Sequence, residues 1–275
     1  MQATSAKTIL ITGATDGIGL ATAKLLVSLG HQVLIHGRNP DKLKKVAEQL
    51  TTPNTAYPVA TYVADLSKTA DIQALAQNIM AEHQQLDVLL NNAGIFRTPM
   101  TETEDGLDIR FMVNTIAPYL LTNLLTSVLN ANSRVINLSS AAQAPINLRA
   151  FKGEAKLADM DAYAQSKLAI TIWSQYFAKH NQDNGPVMIA VNPRSLLASK
   201  MVKEGFGVAG SDISIGAKIL KKLALDEEFK QSSGLYFDND SGQFSLPHPD
   251  ALNPTIVEQV IGAIETVTMQ LTSKA

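Results

Sequence analysis

The sequence has no cysteine, little net charge and no long apolar run, and each absence excludes a class of protein. Without cysteine, the 275 residues can form no disulfide, thiolate metal site or cysteine nucleophile. The net charge of -2, from 23 basic and 25 acidic residues, argues against a nucleic-acid surface. No apolar run approaches the roughly 18 residues that a membrane span requires.

Two further features are lacking. Residues 1–7 run into an apolar strand pattern without the h-region or cleavage site of a signal peptide. The five histidines are scattered, and no pair has the spacing of a metal site. We therefore expect a cytoplasmic protein with no nucleic-acid partner, no membrane span and no metal.

Short apolar runs alternate with helical patterns along the chain. This alternation predicts an α/β fold, with right-handed crossovers and helices on both faces of a parallel sheet. We expect one doubly wound (Rossmann) domain with a mostly parallel, seven-stranded sheet. Its cofactor half spans about residues 7–140, and its catalytic and substrate half spans about residues 141–275. The expected strands include 7–12, 32–36, 57–63, 86–90, 134–138 and 187–191, and the expected helices include 39–50, 68–83, 107–129 and 162–180.

Two stretches without clean periodicity, 141–161 and 193–212, follow the carboxyl ends of strands. Ligands sit at these ends in doubly wound sheets, so both stretches are candidates for substrate contact. The proline-bearing tail, 235–254, either closes over the substrate site or packs on the edge of the sheet.

A glycine-rich turn follows the first strand. Gly13 permits a tight turn, Gly17 allows close approach of a pyrophosphate, and Gly19 allows the helix to pack on the strand. The G-x-x-x-G-x-G spacing differs from the general G-x-G-x-x-G, and a purely connecting turn is the alternative. Its place in the first strand–turn–helix favours dinucleotide binding, with predicted contacts from Gly13, Thr15, Asp16, Gly17, Ile18 and Gly19.

The end of the second strand discriminates between nicotinamide cofactors. NAD sites usually place a carboxylate there, whereas NADP sites place an arginine near the 2′-phosphate. Here Arg38 and Asn39 follow the strand and no carboxylate does, which favours NADP(H) over NAD(H). A solvated surface role for Arg38 is the alternative, and the negative charge of Asp16 acts against phosphate binding.

Asp65 and Leu66 follow the third strand and are predicted cofactor contacts. The Asp65 carboxylate could accept a hydrogen bond from the adenine amino group. A helix N-cap role for Asp65 or Ser67 is the alternative.

Tyr163 and Lys167 lie four residues apart on a predicted helix and therefore share a face. A neighbouring cation favours the phenolate, so we expect Lys167 to lower the pKa of Tyr163 towards the range useful for acid–base chemistry. An ordinary exposed pair is the alternative.

Five motifs occur together in order. They are Thr12-Gly13-x-x-x-Gly17-Ile18-Gly19, Asn91-Asn92-Ala93-Gly94, Asn114, Ser139-Ser140 and Tyr163-x-x-x-Lys167. In this combination, over about residues 7–201, the sequence resembles the short-chain dehydrogenase/reductase family. The long interval from Ser140 to Tyr163 is similar to the retinol-dehydrogenase-like and protochlorophyllide-reductase-like branch, which often prefers NADP(H) and apolar substrates.

The resemblance implies a role for each matching residue. It implies that Tyr163 is the general acid/base, that Lys167 lowers its pKa and holds the nicotinamide ribose, and that Ser140 binds the substrate oxygen. It also implies that Asn114 holds a water in a proton relay, with a structural bridge as its alternative. Ser139 is the alternative active serine. Further cofactor contacts are implied for Asn92, Ala93, Gly94, Tyr163, Lys167, Pro193, Leu196 and Ser199.

One departure from the family pattern follows the sixth strand, where Pro193-Arg194 replaces the usual Pro-Gly. Either the bend is conventional and Arg194 points to solvent, or its guanidinium reaches into the site and binds an anion. We favour the solvent interpretation.

These features predict an oxidoreductase that acts on a small-molecule carbonyl or alcohol. The alternatives are a carbon–carbon double-bond reductase on the same scaffold and a non-catalytic NADP-sensing regulator. The resemblance also implies a homodimer or homotetramer, for which Leu120, Leu124, Ile170 and Trp173 are compatible contacts. Packing within the chain explains these apolar residues equally well.

Overall fold

In the computed structural model, which describes residues 5–53, 55–181 and 185–274, eight strands form one sheet in the order β3-β2-β1-β4-β5-β6-β7-β8. The strands are β1 (Thr8–Ile11), β2 (Gln32–Gly37), β3 (Ala60–Val63), β4 (Val88–Asn91), β5 (Arg134–Leu138), β6 (Val187–Asn192), β7 (Tyr236–Asp238) and β8 (Gln243–Ser245). All neighbours pair in parallel except β7 and β8, which pair antiparallel.

The eighth strand corrects the expected count of seven. β7 and β8 are joined by a tight turn in which Gly242 has a φ of +73°. The three-residue strands are too short to show a periodic pattern in the sequence. The tail therefore packs on the edge of the sheet from Tyr236 to Ser245, the second of the two expected alternatives.

Ten α-helices are present in the described part of the chain. They are α1 (Gly17–Ser28), α2 (Pro40–Leu50), α3 (Thr69–Glu82), α4 (Ile109–Phe111), α5 (Ala117–Leu124), α6 (Leu148–Phe151), α7 (Asp159–His180), α8 (Lys200–Phe206), α9 (Ser214–Leu225) and α10 (Pro254–Thr272). No helix in the described ranges is both long and apolar enough to cross a membrane.

The prediction of one long helix over 107–129 is wrong. The chain forms α4, then a π-helical turn over Met112–Ile116, then α5, which ends at Leu124. Pro118 has no N–H and cannot donate the α-helical hydrogen bond to the carbonyl of Asn114. Turns of this kind are common at functional sites, and here one holds a predicted catalytic residue.

Apolar residues of the strands fill both faces of the sheet. Leu10, Leu34 and Leu89 belong to one buried cluster, whereas their neighbours Ile9, Ile35 and Leu90 belong to the other. Two buried layers separated by the sheet confirm the predicted doubly wound architecture. Leu120, Ile170 and Trp173 lie in the first cluster together with residues of α10, so packing within the chain accounts for their burial.

Candidate active site

The glycine turn folds as the sequence predicts. Gly13 and Gly17 have φ angles of +66° and +56°, a region that side chains rarely adopt. A Cβ at position 19 would lie 2.4 Å from the carbonyl oxygen of Gly13, so only glycine lets the helix start this close to the turn. Asp16 caps α1 by accepting a hydrogen bond from the N–H of Gly17, at 2.7 Å. The amides of Ile18 and the next residue have no intrahelical acceptor, which makes this terminus a cradle for an anion.

Asn92 ties the end of β4 to the glycine turn. Its Nδ2 donates to the carbonyl oxygens of Thr12 and Gly13, at 2.8 and 3.0 Å. A Cβ at Gly13 would lie 2.8 Å from the Cα of Ala93, so the two segments are in direct contact. These contacts fix the shape of the turn from outside its own strand and helix.

Basic side chains gather at the end of β2. Arg38 is exposed there, directly before Asn39, which caps α2 by accepting from the N–H of Lys42 at 2.8 Å. Lys42 also pairs with Asp16, with 3.3 Å between Nζ and Oδ2. The ion pair offsets the negative charge that Asp16 was expected to bring to this region, and Lys42 is a basic residue that the motif analysis missed.

Asp65 closes a turn after β3. Its Oδ1 accepts from the N–H and the hydroxyl of Ser67, at 3.0 and 2.8 Å. The N-cap position of α3 is Lys68, which makes no side-chain capping bond, so the capping alternative for Asp65 or Ser67 is wrong. Leu66 is buried in the core beside it.

His36 was not singled out in the sequence, yet it joins three parts of the cofactor half. Its Nδ1 accepts from the N–H of Gly13 at 3.2 Å, and its Nε2 lies 3.0 Å from the carbonyl oxygen of Ala64. Burial lowers the pKa of His36 to about 4, so the ring is neutral and Nε2 carries the proton. A histidine within an apolar strand is the only sequence signal of this role.

Tyr163, Ser140 and Lys167 meet at the carboxyl edge of the sheet. Tyr163 lies in the first turns of α7, and the Ser140 side chain lies near enough to its hydroxyl to act on the pKa of the phenol. The Nζ of Lys167 lies 5.7 Å from the centre of the Tyr163 ring and donates to the carbonyl oxygen of Leu138 at 2.7 Å. A Cβ at Gly94 would lie 3.4 Å from the same Nζ, so this glycine borders the site.

The pKa of Tyr163 shifts in the direction opposite to the one expected from the neighbouring Lys167. Burial raises the pKa of Tyr163, and the hydrogen bond with Ser140 opposes this rise only in part. Burial lowers the pKa of Lys167 to about 8. Tyr163 is therefore a protonated phenol at neutral pH, and the expected lowering of its pKa by Lys167 is not present.

The remaining motif residues take clear positions. The hydroxyl of Ser139 donates to the carbonyl oxygen of Lys167 at 2.8 Å and lies 2.7 Å from the hydroxyl of Thr171, so it faces α7 and away from Tyr163. The side chain of Asn114 bridges to the backbone of Ile95 and to Ser166, which is the structural bridge considered above.

Comparison with known proteins agrees with this geometry. The family model described as "short chain dehydrogenase" matches residues 7–206. The chain belongs to the short-chain dehydrogenase family. It is an oxidoreductase of that family, and its resemblance to the retinol dehydrogenases is confirmed by similarity to retinol dehydrogenase 13 of Homo sapiens. The two are 32% identical over 279 residues, which cover 92% of this chain and 82% of the relative.

Solved structures show the same fold. A protein from Mycobacterium paratuberculosis is 24% identical and has a TM-score of 0.78, covering 96% of this chain and 93% of its own. A short chain dehydrogenase from Escherichia coli CFT073, complexed with NADPH, is 27% identical with a TM-score of 0.68, covering 85% of this chain and 96% of its own. Within the described residues, this short-chain dehydrogenase has no group of three or more His, Cys, Asp or Glu that could hold a metal.

The segment after β6 covers the glycine turn of this short-chain dehydrogenase. Ser199 caps α8 by accepting from the N–H of Val202 at 3.2 Å, and a Cβ at Gly17 would lie 3.7 Å from the Cβ of Ser199. Phe96 packs between α8 and the tyrosine, with 5.2 Å between its ring centre and that of Tyr163. Pro193 is buried and Leu196 is exposed with a φ of +51°. Of these predicted contacts, Ser199 lies beside the glycine turn.

Arg194 has a positive φ, a backbone conformation that favours glycine. Its φ is +123° and its side chain is exposed, as the solvent interpretation predicts. The bend is held by Asp240, which accepts from the N–H of Ser195 at 3.0 Å and from Nδ2 of Asn192 at 2.9 Å. The surrounding hydrogen bonds thus impose a conformation that a side chain adopts only with strain.

Replacing Arg194 with glycine is expected to stabilise the protein by about 1 kcal/mol. Relief of the strained φ contributes about 1–3 kcal/mol, and the greater freedom of glycine in the unfolded chain offsets part of it. Urea unfolding measures the difference. Arg194→Ala is the control, since its Cβ keeps the strain and no gain is expected. A glycine variant that gains nothing, or that selectively raises the KM of acidic substrates, would contradict this account.

Proposed function

We propose that this chain is an NADP(H)-preferring oxidoreductase that transfers a hydride between nicotinamide and a carbonyl or alcohol, with Tyr163 as general acid/base. The proposal rests on one observation. The hydroxyl of Tyr163 lies near the Ser140 side chain and beside the Lys167 ammonium, at the edge of the sheet where the glycine turn also lies.

The residues present fit a dinucleotide. Gly13 and Gly17 form the cradle at the start of α1, and added side chains would fill or distort it. Arg38 and Lys42 stand at the end of β2, where a 2′-phosphate would need positive charge. The similar Escherichia coli structure in complex with NADPH supports the same choice of cofactor.

When bound, the nicotinamide supplies the hydride for reduction or accepts it for oxidation. In reduction, the Ser140 hydroxyl donates a hydrogen bond to the carbonyl oxygen while Tyr163 transfers its phenolic proton to that oxygen. The Lys167 ammonium then stabilises the phenolate through its charge. The carbonyl of Asn114 holds a water from which the proton is replaced.

The substrate side of Tyr163 is apolar. Phe96 is buried against the tyrosine ring, and α8 packs on Phe96 from outside. Such a wall favours an apolar aldehyde, ketone or alcohol over a charged one. The similarity to a protein named retinol dehydrogenase 13 supports the same substrate class.

Removing the basic group at the end of β2 tests the cofactor assignment. Arg38→Ala is expected to weaken NADPH binding about tenfold, because it removes a charge-assisted hydrogen bond to the 2′-phosphate. NADH binding should not change, since NADH has no such phosphate. Energy transfer from Trp173 to the reduced nicotinamide measures both, with calorimetry as a second method.

Arg149→Ala is the matched control, because Arg149 is an exposed arginine far from β2, paired with Glu154 at 3.7 Å. It should bind NADPH like the wild type. Equal losses of NADPH and NADH affinity in Arg38→Ala would overturn the 2′-phosphate role. If neither nucleotide binds the wild-type protein, the proposed function is wrong.

A further inference from the structure

The main-chain carbonyl of Ser140 is held by an unusual pair of side-chain donors. Tyr236 in β7 donates its hydroxyl to this oxygen at 3.0 Å, across 96 residues of sequence. Gln143 donates its Nε2 to the same oxygen at 3.0 Å. Ser140 lies beyond the last residue of β5, so these bonds replace the strand pairing that would otherwise fix its peptide.

The bonds to this carbonyl anchor the backbone of Ser140, and the position of that backbone sets where its hydroxyl lies. Its Oγ accepts from the N–H of Ala142 at 3.1 Å, and its side chain lies near enough to the Tyr163 hydroxyl to act on the pKa of that phenol. A shift of the Ser140 backbone would displace Cα and, with it, Oγ relative to the tyrosine and to any carbonyl bound between them. Misplacements of about 1 Å at such a site are costly for catalysis.

Tyr236 is itself rigidly placed. It pairs with Ala190 of β6 on one side and with Ser245 of β8 on the other. Its side chain is buried, and burial raises the pKa of Tyr236, so the hydroxyl remains a donor through the neutral range. The short hairpin of β7 and β8 therefore holds the Tyr236 hydroxyl in a fixed position, where it donates to the loop that carries Ser140.

We infer that Tyr236 is a positioning residue for the reaction, because its hydroxyl sets the peptide of Ser140 and, through it, the contact between Ser140 and Tyr163. This inference rests on the proposed function. Tyr236 touches neither substrate nor cofactor in this role. Its contribution is made entirely through the hydroxyl of Ser140.

A double-mutant cycle tests this dependence on Ser140. Tyr236→Phe is expected to lower kcat for an apolar aldehyde roughly tenfold, about the effect of one lost hydrogen bond, with the KM for NADPH unchanged. In a Ser140→Ala background, itself about 10²-fold slower, the same change should cost less than about twofold. With no Ser140 hydroxyl left to orient, the Tyr236 hydroxyl has nothing to contribute.

Tyr62→Phe is the matched control. Tyr62 is a strand tyrosine with the same 6% exposure as Tyr236, and its hydroxyl donates to Glu82 at 2.8 Å, away from the site. It should keep the wild-type kcat, although it also loses a buried hydroxyl. Thermal unfolding of both variants shows whether their loss of stability is alike.

The possible results distinguish a failure of the positioning role of Tyr236 from a failure of the proposed function. If Tyr236→Phe costs tenfold in both backgrounds, or leaves kcat unchanged while Ser140→Ala lowers it, the positioning role is wrong and the proposed function stands. If Ser140→Ala and Tyr163→Phe both keep full activity, the proposed function fails and the positioning role fails with it.

Discussion

Tyr163→Phe is expected to lower kcat for carbonyl reduction by roughly 10²- to 10⁴-fold, with NADPH affinity unchanged. The phenolic hydroxyl beside Ser140 and Lys167 is the proposed proton donor, and general acid catalysis contributes on this scale. Phenylalanine keeps the ring and its contact with Phe96, so the packing of the site is retained. Steady-state kinetics with NADPH and an apolar aldehyde measure kcat, and the Trp173 titration measures binding.

Tyr176→Phe is the control for this experiment. Tyr176 lies on the same helix, α7, and its ring stacks on His180 rather than facing the site. Its variant should keep wild-type kinetics. A Tyr163→Phe enzyme that retains more than a tenth of the wild-type kcat would show that another group delivers the proton.

Arg110→Met is expected to cost about 3 kcal/mol of unfolding free energy. Arg110 is only 1% exposed, and its Nε and Nη2 donate to Asp108 at 2.8 and 2.6 Å, while Nη1 donates to Asp159. Burial opposes its charge, but the hydrogen bonds and charges of the two aspartates outweigh burial and raise the pKa of Arg110. Methionine fills similar space but leaves the aspartates without their cation, which is the costly way to break a buried ion pair.

Arg149→Met makes the same substitution at an exposed pair with Glu154 and should change stability by less than about 1 kcal/mol. Urea unfolding at neutral pH measures both variants. A further change, Asp108→Asn in the Arg110→Met background, should recover part of the loss by removing an unpaired carboxylate. Equal stabilities of the two methionine variants would show that the buried pair contributes nothing.

Arg110 also connects two segments that the proposed mechanism uses. Asp159, its partner, lies one turn before Tyr163 on α7, and Arg110 itself lies one turn before Asn114. The ion pair therefore joins the segment that holds the proton donor to the segment proposed to hold water. The motifs did not point to Arg110, although a charged residue between apolar Ile109 and Phe111 is an available signal of a buried, paired group.

Most of the element types could be predicted because their signals are local. Asn39 and Pro40 start α2 as expected, since capping and a proline at the first helical position depend on neighbouring residues alone. Because proline cannot donate to a strand ladder, Pro58 is compatible only with a strand start or an edge, and β3 begins after it, at Ala60, at the edge of the sheet. The prediction of one long helix over 107–129 was wrong because the spacing of apolar residues does not reveal a π-helical turn.

The order of the motifs, the family and the identity of the candidate catalytic groups follow from the amino-acid sequence, because turn chemistry and side-chain spacing are local along the chain. Four further properties become visible only in the folded protein: Tyr236 holds Ser140, Arg110 joins two helices, Arg194 has a positive φ, and burial raises the pKa of Tyr163. These properties depend on contacts between residues that are distant in sequence and on the exclusion of water, and neither is expressed in a local pattern.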